Sequence, residues 1–233
     1  MLKYKSSYKH TAQIGQKEIK FKEWTAKEER LYLEAIEDKD TKITDKVIFD
    51  LLVLPAIENK KLVLSVQEQK LLLIEIRIKS IGETFKDKII CSECEEEQTL
   101  DIKIKDICTF EEAKYSKVQV QDEENNMIFN IGPIRTNKEK EKLIIDDGII
   151  NYIFTDFILH IHSVEINGKL TEKISYKELT NFMDSLPSRI FDEVFEKYQL
   201  MVDSLELKFA GTCPNCSAKE TKTYENIPNF LWI

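Results

Sequence analysis

The stretches Cys91-Ser-Glu-Cys94 and Cys213-Pro-Asn-Cys216 decide how this chain folds. In each stretch two residues separate a pair of cysteines, and segments with a strand-like alternation of residues flank the pair, as in a β-hairpin. The four predicted strands cover residues 85–90, 98–104, 205–209 and 219–224. Two cysteines at the turn of a hairpin can direct both sulfurs at one point. We therefore predict two cysteine-bearing hairpins that meet in space, although they lie far apart in sequence.

Four thiolates in a tetrahedron are the favoured ligands of a structural zinc ion. The predicted ligands are Cys91, Cys94, Cys213 and Cys216, so that the two hairpins form a zinc-ribbon-like β module that is discontinuous in sequence. A structural Zn²⁺ of this kind contributes about 10–16 kcal/mol of binding free energy to folding. We therefore expect loss of the metal to release the whole chain segment that the two hairpins enclose.

Other uses of the cysteines stay open. A redox C-x-x-C places one pair at the N-terminus of a helix after a strand, which two hairpin-borne pairs do not do. Alternatively, the pairs are hairpin tips that hold no metal. A catalytic zinc needs an open coordination position, and His10, His160 and His162 do not stand at ligand spacing to the cysteines. The fifth cysteine, Cys108, is expected to be a small buried hydrophobic residue.

The composition is that of a globular protein with an acidic balance of charge. Of the 233 residues 42% are apolar, and 42 Asp and Glu against 34 Lys and Arg give a formal net charge of −8. This balance argues against coating of nucleic acid or of an anionic membrane, because both attract clustered cations. The most apolar stretch, 143–164, is interrupted by Asp146, Asp147 and Asp156, so we predict no transmembrane helix. Residues 1–10 lack the apolar core of a signal peptide, so cytoplasmic synthesis is expected.

Motifs of known enzyme classes are missing from the sequence. It contains no P-loop, no G-x-G-x-x-G, no G-x-S-x-G and no H-E-x-x-H, and six glycines leave little material for a phosphate-binding loop. His160 and His162 are expected at the surface or at a helix end, and Asp156 on a charged helix face. We predict a non-enzymatic protein without a small-molecule substrate.

The chain is predicted to be an α+β protein in four parts, with helical segments around the discontinuous β module. Residues 1–84 form an N-terminal arm and a helical region, and 85–136 form the first cysteine hairpin with a further β region. Residues 137–203 form a helical insert, and 204–233 form the second cysteine hairpin.

Local signals position the predicted elements. Three S/T-x-x-E capping boxes predict helix starts, and Asn167-Gly168 predicts a two-residue hairpin turn. The boxes begin at Thr25, Ser65 and Ser175. The first twenty residues are expected to be an extended arm that leads into a short strand at 19–21. The apolar residues 229–233 either pack on the core of the chain or dock on a partner.

Three further sequence motifs follow one another along the chain. The first is R-x-x-S-x-G-E, at Arg77, Ser80, Gly82 and Glu83. The sequence L-D-I-K-I-K-D-I follows the first cysteine pair at 100–107, and S-Y-K-E-L-T-N-F-M-D-S-L-P at 175–187 precedes the C-P-N-C hairpin. With these motifs the chain resembles the baseplate hub assembly family of contractile-tailed bacteriophages of the T-even type. The resemblance covers nearly the whole chain and is weakest in 107–132.

This resemblance implies a non-enzymatic role in building the baseplate hub, as an assembly factor or a minor component. It implies other baseplate hub or tail proteins as partners. It also implies the host bacterial cytoplasm during tail assembly, and the tail baseplate of the virion, as locations. The alternative function is a zinc-ribbon adaptor that binds nucleic acid or the transcription machinery. Glutamates crowd the first cysteine pair and disfavour phosphate there, whereas Lys219 and Lys222 lie near the second.

Overall fold

The protein is described by a computed structural model that covers residues 7–37, 45–122, 124–134 and 149–224. Helices and strands are mixed along the chain, as the sequence predicts. The strands are β1 (His10–Ile14), β2 (Lys17–Phe21), β3 (Thr84–Ile90), β4 (Glu97–Lys103), β5 (Cys108–Glu111), β6 (Ser116–Gln121), β7 (Asn126–Ile131), β8 (Ile161–Ile166), β9 (Lys169–Glu172), β10 (Ser204–Thr212) and β11 (Lys219–Thr223). The α-helices are α1 (Ala26–Glu37), α2 (Asp45–Ile48), α3 (Val66–Ser80), α4 (Ile104–Ile107), α5 (Ile149–His160), α6 (Tyr176–Ser185) and α7 (Ser188–Gln199), and a π-helical turn at Phe49–Val53 continues α2. The first part of the predicted helical insert, 137–148, and the apolar residues 229–233 lie outside the described residues.

The chain divides into two compact units, each assembled from separate stretches of sequence. The first unit contains residues 1–60, 67–111 and 204–233, and the second contains 61–66 and 112–203. Both cysteine pairs belong to the first unit. The candidate site is therefore built within one unit.

The first unit begins with an antiparallel hairpin of β1 and β2. Its apolar residues alternate with polar ones, so that Ala12, Ile14, Ile19 and Phe21 are buried on one face. Gly15 allows the tight turn with φ +54°, a left-handed conformation that glycine adopts at little cost. A hairpin therefore forms where the sequence analysis expected an extended arm, and the short strand expected at its end is β2.

A buried ion pair ties this hairpin to α3. The Lys17 ammonium lies 2.7 Å from Oε1 and 2.5 Å from Oε2 of Glu68. Only 19% of the Lys17 side chain and 6% of the Glu68 side chain are exposed. Because removing two charges from water costs several kcal/mol, such a pair is tolerated only while both partners are present.

The R-x-x-S-x-G-E motif forms the corner between α3 and β3. The Arg77 side chain is fully buried, and its Nη1 donates hydrogen bonds to the carbonyls of Gly82 and Thr84. Ser80 Oγ accepts a hydrogen bond from the Trp24 amide at 2.9 Å. Gly82 has φ +135°, where a residue with a side chain would be strained. The motif thus fixes the first cysteine hairpin to the helical part of its unit.

Two antiparallel hairpins, β3–β4 and β10–β11, carry the cysteine pairs at their turns, as predicted. The alternation of burial is regular: Phe85, Ile89 and Ile102 are buried in the first hairpin, and Leu207 in the second. Strand β5 follows the first hairpin along the chain and pairs with β10 of the second hairpin. It is therefore the third strand of the sheet β11-β10-β5. The pairing of β5 with β10 thus links the two hairpins within one unit.

The second unit is a four-stranded antiparallel sheet, in the order β6-β7-β8-β9, that shares one hydrophobic core with α5, α6 and α7. Phe129 of the sheet and Phe157, Ile190 and Val194 of the helices are fully buried in this core. The β8–β9 turn is the predicted Asn167-Gly168, with φ +50° and +80° as a two-residue hairpin turn requires.

Helix α6 begins at the predicted capping box. The Ser175 hydroxyl accepts from the Glu178 amide at 3.3 Å, and the Glu178 carboxylate accepts from the Ser175 amide at 2.9 Å. At α1 the capping box is formed in part. The Glu28 carboxylate accepts from the Thr25 amide as expected, but the Thr25 hydroxyl accepts from the amide of Lys27 instead of the amide of Glu28. Both helices start where the sequence predicts.

The interior of the second unit contains His160, expected at the surface or at a helix end, and Asp156, expected on a charged helix face. His160 is fully buried, with Nδ1 2.7 Å from the carbonyl oxygen of Gly132. Only 15% of the Asp156 side chain is exposed. Asp156 accepts a hydrogen bond from the Tyr198 hydroxyl at 2.8 Å, and burial raises its pKa. His160 is the last residue of α5, as the helix-end alternative predicts, but it is buried and does not lie at the surface. Asp156 lies on the same helix, where the hydroxyl of Tyr198, 42 positions further along the chain, reaches it inside the unit.

Replacing Lys17 by Met is expected to lower the free energy of unfolding by about 3 kcal/mol, because it leaves the Glu68 carboxylate buried without its cation. The exposed pair Arg30–Glu34, with an N–O distance of 3.4 Å, provides the matched control. Arg30→Met should change the free energy by no more than about 0.5 kcal/mol. Denaturant unfolding followed by circular dichroism measures both values. Equal effects of the two substitutions would contradict this account of the buried pair.

Candidate metal centre

Each cysteine pair lies in a turn of the same backbone geometry, which we call a knuckle (residues 91–96 and 213–218). In the first knuckle the Cys91 amide donates to the Glu96 carbonyl, and the Glu95 amide donates to the Cys91 carbonyl, both at 3.0 Å. The second knuckle repeats both bonds at 2.8 Å, between Cys213 and Ala218 and between Ser217 and Cys213. Two unrelated sequences thus form the same turn around a C-x-x-C pair.

The residue after the second cysteine of each knuckle has a left-handed backbone. Glu95 has φ +57° and Ser217 has φ +62°, and neither is a glycine. A residue with a side chain is strained in this conformation. The same strain at the same position of both knuckles indicates a geometry imposed by the turn as a whole.

The structure brings the four predicted ligand sulfurs together. Cys91 Sγ lies 3.6 Å from Cys216 Sγ, and Cys94 Sγ lies 3.7 Å from Cys213 Sγ. All four sulfurs lie within 4.8 Å of one another. Four sulfurs at the Zn–S distance of about 2.3 Å around one ion would be about 3.8 Å apart. In the part of the chain that the structure describes, these cysteines form the cluster of potential ligands tight enough to hold a metal.

Backbone amides favour a thiolate at some of these positions. The Glu96 amide donates to Cys94 Sγ, and together with the side-chain amide of Asn215 it outweighs burial and lowers the pKa of Cys94 to about 7. At Cys91 the amides of Cys94 and Glu93 act in the same direction. Burial and the carboxylate of Glu220, 3.1 Å from the sulfur, outweigh them and raise the pKa of Cys91 to about 12. Without a cation, the four neighbouring thiols cannot all be ionised, because like charges this close repel strongly.

The cluster is buried on one side and open on the other. Cys91 and Cys213 are each 1% exposed, Cys94 is half-buried, and Cys216 is exposed. The buried sulfurs lie at the ends of β3 and β10, and the second sulfur of each pair lies on the outer part of the knuckle. An ion can therefore reach the cluster from solvent without opening the hydrophobic core.

The remaining cysteine and the histidines do not join the cluster. Cys108 is half-buried on β5, and burial, assisted by the charge of Glu75, raises the pKa of its thiol to about 11. His10 contacts Glu23 at 2.9 Å. His160 and His162 belong to the second unit, where each lies within hydrogen-bond distance of a backbone carbonyl. All potential ligands of the cluster are thus cysteines.

Two residues next to the sulfurs were not predicted from the sequence. Asn215, inside the second pair, donates to Cys94 of the first at 3.6 Å, and Glu220 of β11 accepts from the amide and the hydroxyl of Ser92 at 3.0 and 3.1 Å. Position alone could have suggested Asn215, because it lies between two predicted ligands. Glu220 lies in an ordinary alternating strand, so no local signal distinguished it.

The fold and the site define a mixed helix and sheet protein with a four-cysteine cluster. Residues 4–232 match the family described as T4 bacteriophage base plate protein, and the chain belongs to this family. Neither the curated proteins nor the solved structures gave a match. The resemblance to T4-type phage baseplate proteins is thus confirmed.

Membership in this family gives the chain a structural role in the phage baseplate, in the tail of the virion and among other tail or baseplate proteins. A structural family of this kind favours a non-enzymatic role. Among the described residues, no helix has both the length and the apolar character needed to cross a membrane.

A test of the knuckle geometry uses Ser217. A β-branched residue at φ +62° costs on the order of 1–3 kcal/mol, so Ser217→Val is expected to lower the midpoint of thermal unfolding by several degrees. The matched variant Ser217→Gly should leave the midpoint unchanged or raise it, because glycine adopts this conformation without strain. Differential scanning calorimetry measures both, and a valine variant as stable as the glycine variant would show that the left-handed turn is not required.

Proposed function

We propose that this protein is a non-enzymatic assembly factor or minor component of the phage baseplate hub. It acts by contacts with other hub or tail proteins, and a structural zinc ion joins its two cysteine hairpins. It is made and acts in the host cytoplasm during tail assembly. The observation that carries the metal site is the approach of Cys91, Cys94, Cys213 and Cys216 to within 4.8 Å of one another.

Four protein thiolates support a structural role for the ion. They fill the tetrahedral coordination of Zn²⁺, so no position is left for a catalytic water or a substrate. The ion also neutralises the charge of thiolates that would otherwise repel one another. The bound ion would act as a cross-link between β3–β4 and β10–β11.

The surroundings of the site support a protein partner over nucleic acid. The exposed part of the first knuckle carries only acidic charges, at Glu93, Glu95 and Glu96, and Glu97 follows at the start of β4. A four-thiolate zinc site adds a net charge of about −2. Phosphate groups would be repelled from this surface. These charges disfavour the adaptor that binds nucleic acid.

The second unit contains an apolar hollow. An open hollow of about 170 Å³ lies between its sheet and α6. Among its lining residues Thr171 carries a hydroxyl, and none is a titratable acid or base. The lining residues are Val164, Ile166, Thr171, Ile174, Leu179 and Phe182.

Purified protein is expected to contain about one zinc ion per chain. Cys213→Ser removes one of four ligands and should reduce the zinc content to less than half. Cys108→Ala is the matched control, because it removes a half-buried cysteine outside the cluster and should leave the zinc content unchanged. Elemental analysis of protein purified without chelators measures the content. No zinc in the wild-type protein, or equal loss in both variants, would contradict the metal site.

An amber mutation in the phage gene for this chain tests the role in assembly. Infection of a non-suppressing host is expected to yield tails with incomplete hubs and few infectious particles, because hub contacts would be missing. Infection of a suppressing host is the control. Electron microscopy of tails and a plaque assay measure the outcome, and normal infectious tails without the protein would overturn the proposed hub role.

A further inference from the structure

A row of contacts joins the two cysteine hairpins without involving sulfur. Glu220, Lys222 and Tyr224 alternate along one face at β11, and each contacts the first hairpin. Lys222 Nζ lies 2.5 Å from Asp87 Oδ2, and the Tyr224 hydroxyl donates to the same oxygen at 2.7 Å. Glu220 accepts from the amide of Ser92 at 3.0 Å. We call these five residues the seam.

Apolar contact supports the polar part of the seam. The rings of Phe85 and Tyr224 pack edge to face, with their centroids 5.6 Å apart. Phe85 is buried at the start of β3, and Asp87 follows it on the same face of the strand. The seam therefore runs from the core of the unit towards the first knuckle.

Asp87 is the centre of the seam. Only 14% of its side chain is exposed. Burial opposes its ionisation, but the hydrogen bonds from Lys222 and Tyr224 outweigh burial and lower its pKa. Asp87 is thus a carboxylate at neutral pH, and it holds two donors of the second hairpin against the first.

We propose that the seam holds the two knuckles together in the absence of metal, so that the four-thiol site is preorganised, with Asp87 as a positioning residue. This inference rests on the proposed metal site. It changes the expectation that metal loss releases the enclosed segment: the metal can leave and return while the hairpins stay joined. The bound ion then finds its four ligands in place, and its affinity is not reduced by the cost of assembling them.

Zinc affinity of the full-length, metal-free protein tests Asp87 as a positioning residue. Competition with a chromogenic zinc chelator under reducing conditions should show at least tenfold weaker binding for Asp87→Ala than for the wild type. Asp87→Asn keeps an acceptor for Tyr224 and should recover part of the affinity. The matched control is Lys88→Ala, because the Lys88–Glu97 pair is exposed and lies within the first hairpin. Its affinity should stay within twofold of the wild type.

Thiol cross-linking tests the seam without metal. Diamide accepts two electrons and two protons from a pair of thiols and leaves a disulfide. In the metal-free wild type it should form the cross-hairpin disulfides Cys91–Cys216 and Cys94–Cys213, because these sulfurs are 3.6 and 3.7 Å apart. In Asp87→Ala the yield of cross-hairpin disulfides should fall at least threefold in favour of disulfides within each C-x-x-C pair. Peptide mapping by mass spectrometry identifies the disulfides.

The two measurements separate the possible failures. Cross-hairpin disulfides in a wild type that binds no zinc would support the seam and refute the metal site. If zinc binds to Asp87→Ala with unchanged affinity, preorganisation is overturned and the metal site still stands. The same holds if the wild type binds zinc but, without metal, forms only disulfides within each C-x-x-C pair. If Asp87→Ala does not fold, Tyr224→Phe keeps the ring and removes one donor to Asp87. It should weaken zinc binding several-fold, and an unchanged affinity would equally overturn preorganisation.

Discussion

The first unit depends on the contact between two hairpins whose cysteines are 119 to 125 positions apart in sequence. Closing a loop of this length costs on the order of 4 kcal/mol of chain entropy, and a further cost that does not depend on the loop length is added to it. The seam around Asp87 and the pairing of β5 with β10 offset part of this cost, and zinc binding would supply a larger contribution. Because the contact is so remote in sequence, the four sulfurs can meet only if the rest of the unit folds around them.

The corner at Arg77 explains how the first hairpin is held in place. Its guanidinium is buried against the carbonyls of Gly82 and Thr84, and Ser80 bonds to the backbone at Trp24. These are contacts between backbone and side chain inside one unit, and they orient β3 relative to α3. The motif that suggested the phage family is therefore a structural corner. This agrees with a structural role in the phage baseplate.

The sequence predicted the parts of the fold that depend on local chemistry. The hairpins around the cysteines, the Asn167-Gly168 turn and the capping box at Ser175 all follow from spacings of a few residues. The β1–β2 hairpin was not predicted, because the many lysines of the first twenty residues resembled a solvated arm. The burial of His160 was not predictable either, because its partner Gly132 lies 28 positions away.

The candidate site shows the same division between local and distant signals. The spacing of the cysteines identified the four clustered sulfurs, whereas Asp87 and Glu220 have no distinguishing pattern in their strands. Their importance lies in contacts with residues more than one hundred positions away. The predicted domain boundaries at 84/85, 136/137 and 203/204 stay a prediction. The two compact units are each assembled from separate stretches of the chain, and the contacts that define such units cannot be read from the spacing of residues.

In the proposed metal site, four thiolates from two distant hairpins surround one zinc ion. X-ray absorption at the zinc edge of the purified protein tests it most directly, because the spectrum reports the identity and the distance of the atoms bound to the metal. We expect a single shell of four sulfur atoms at about 2.3 Å. A shell that contains nitrogen or oxygen ligands, or fewer than four sulfurs, would contradict it.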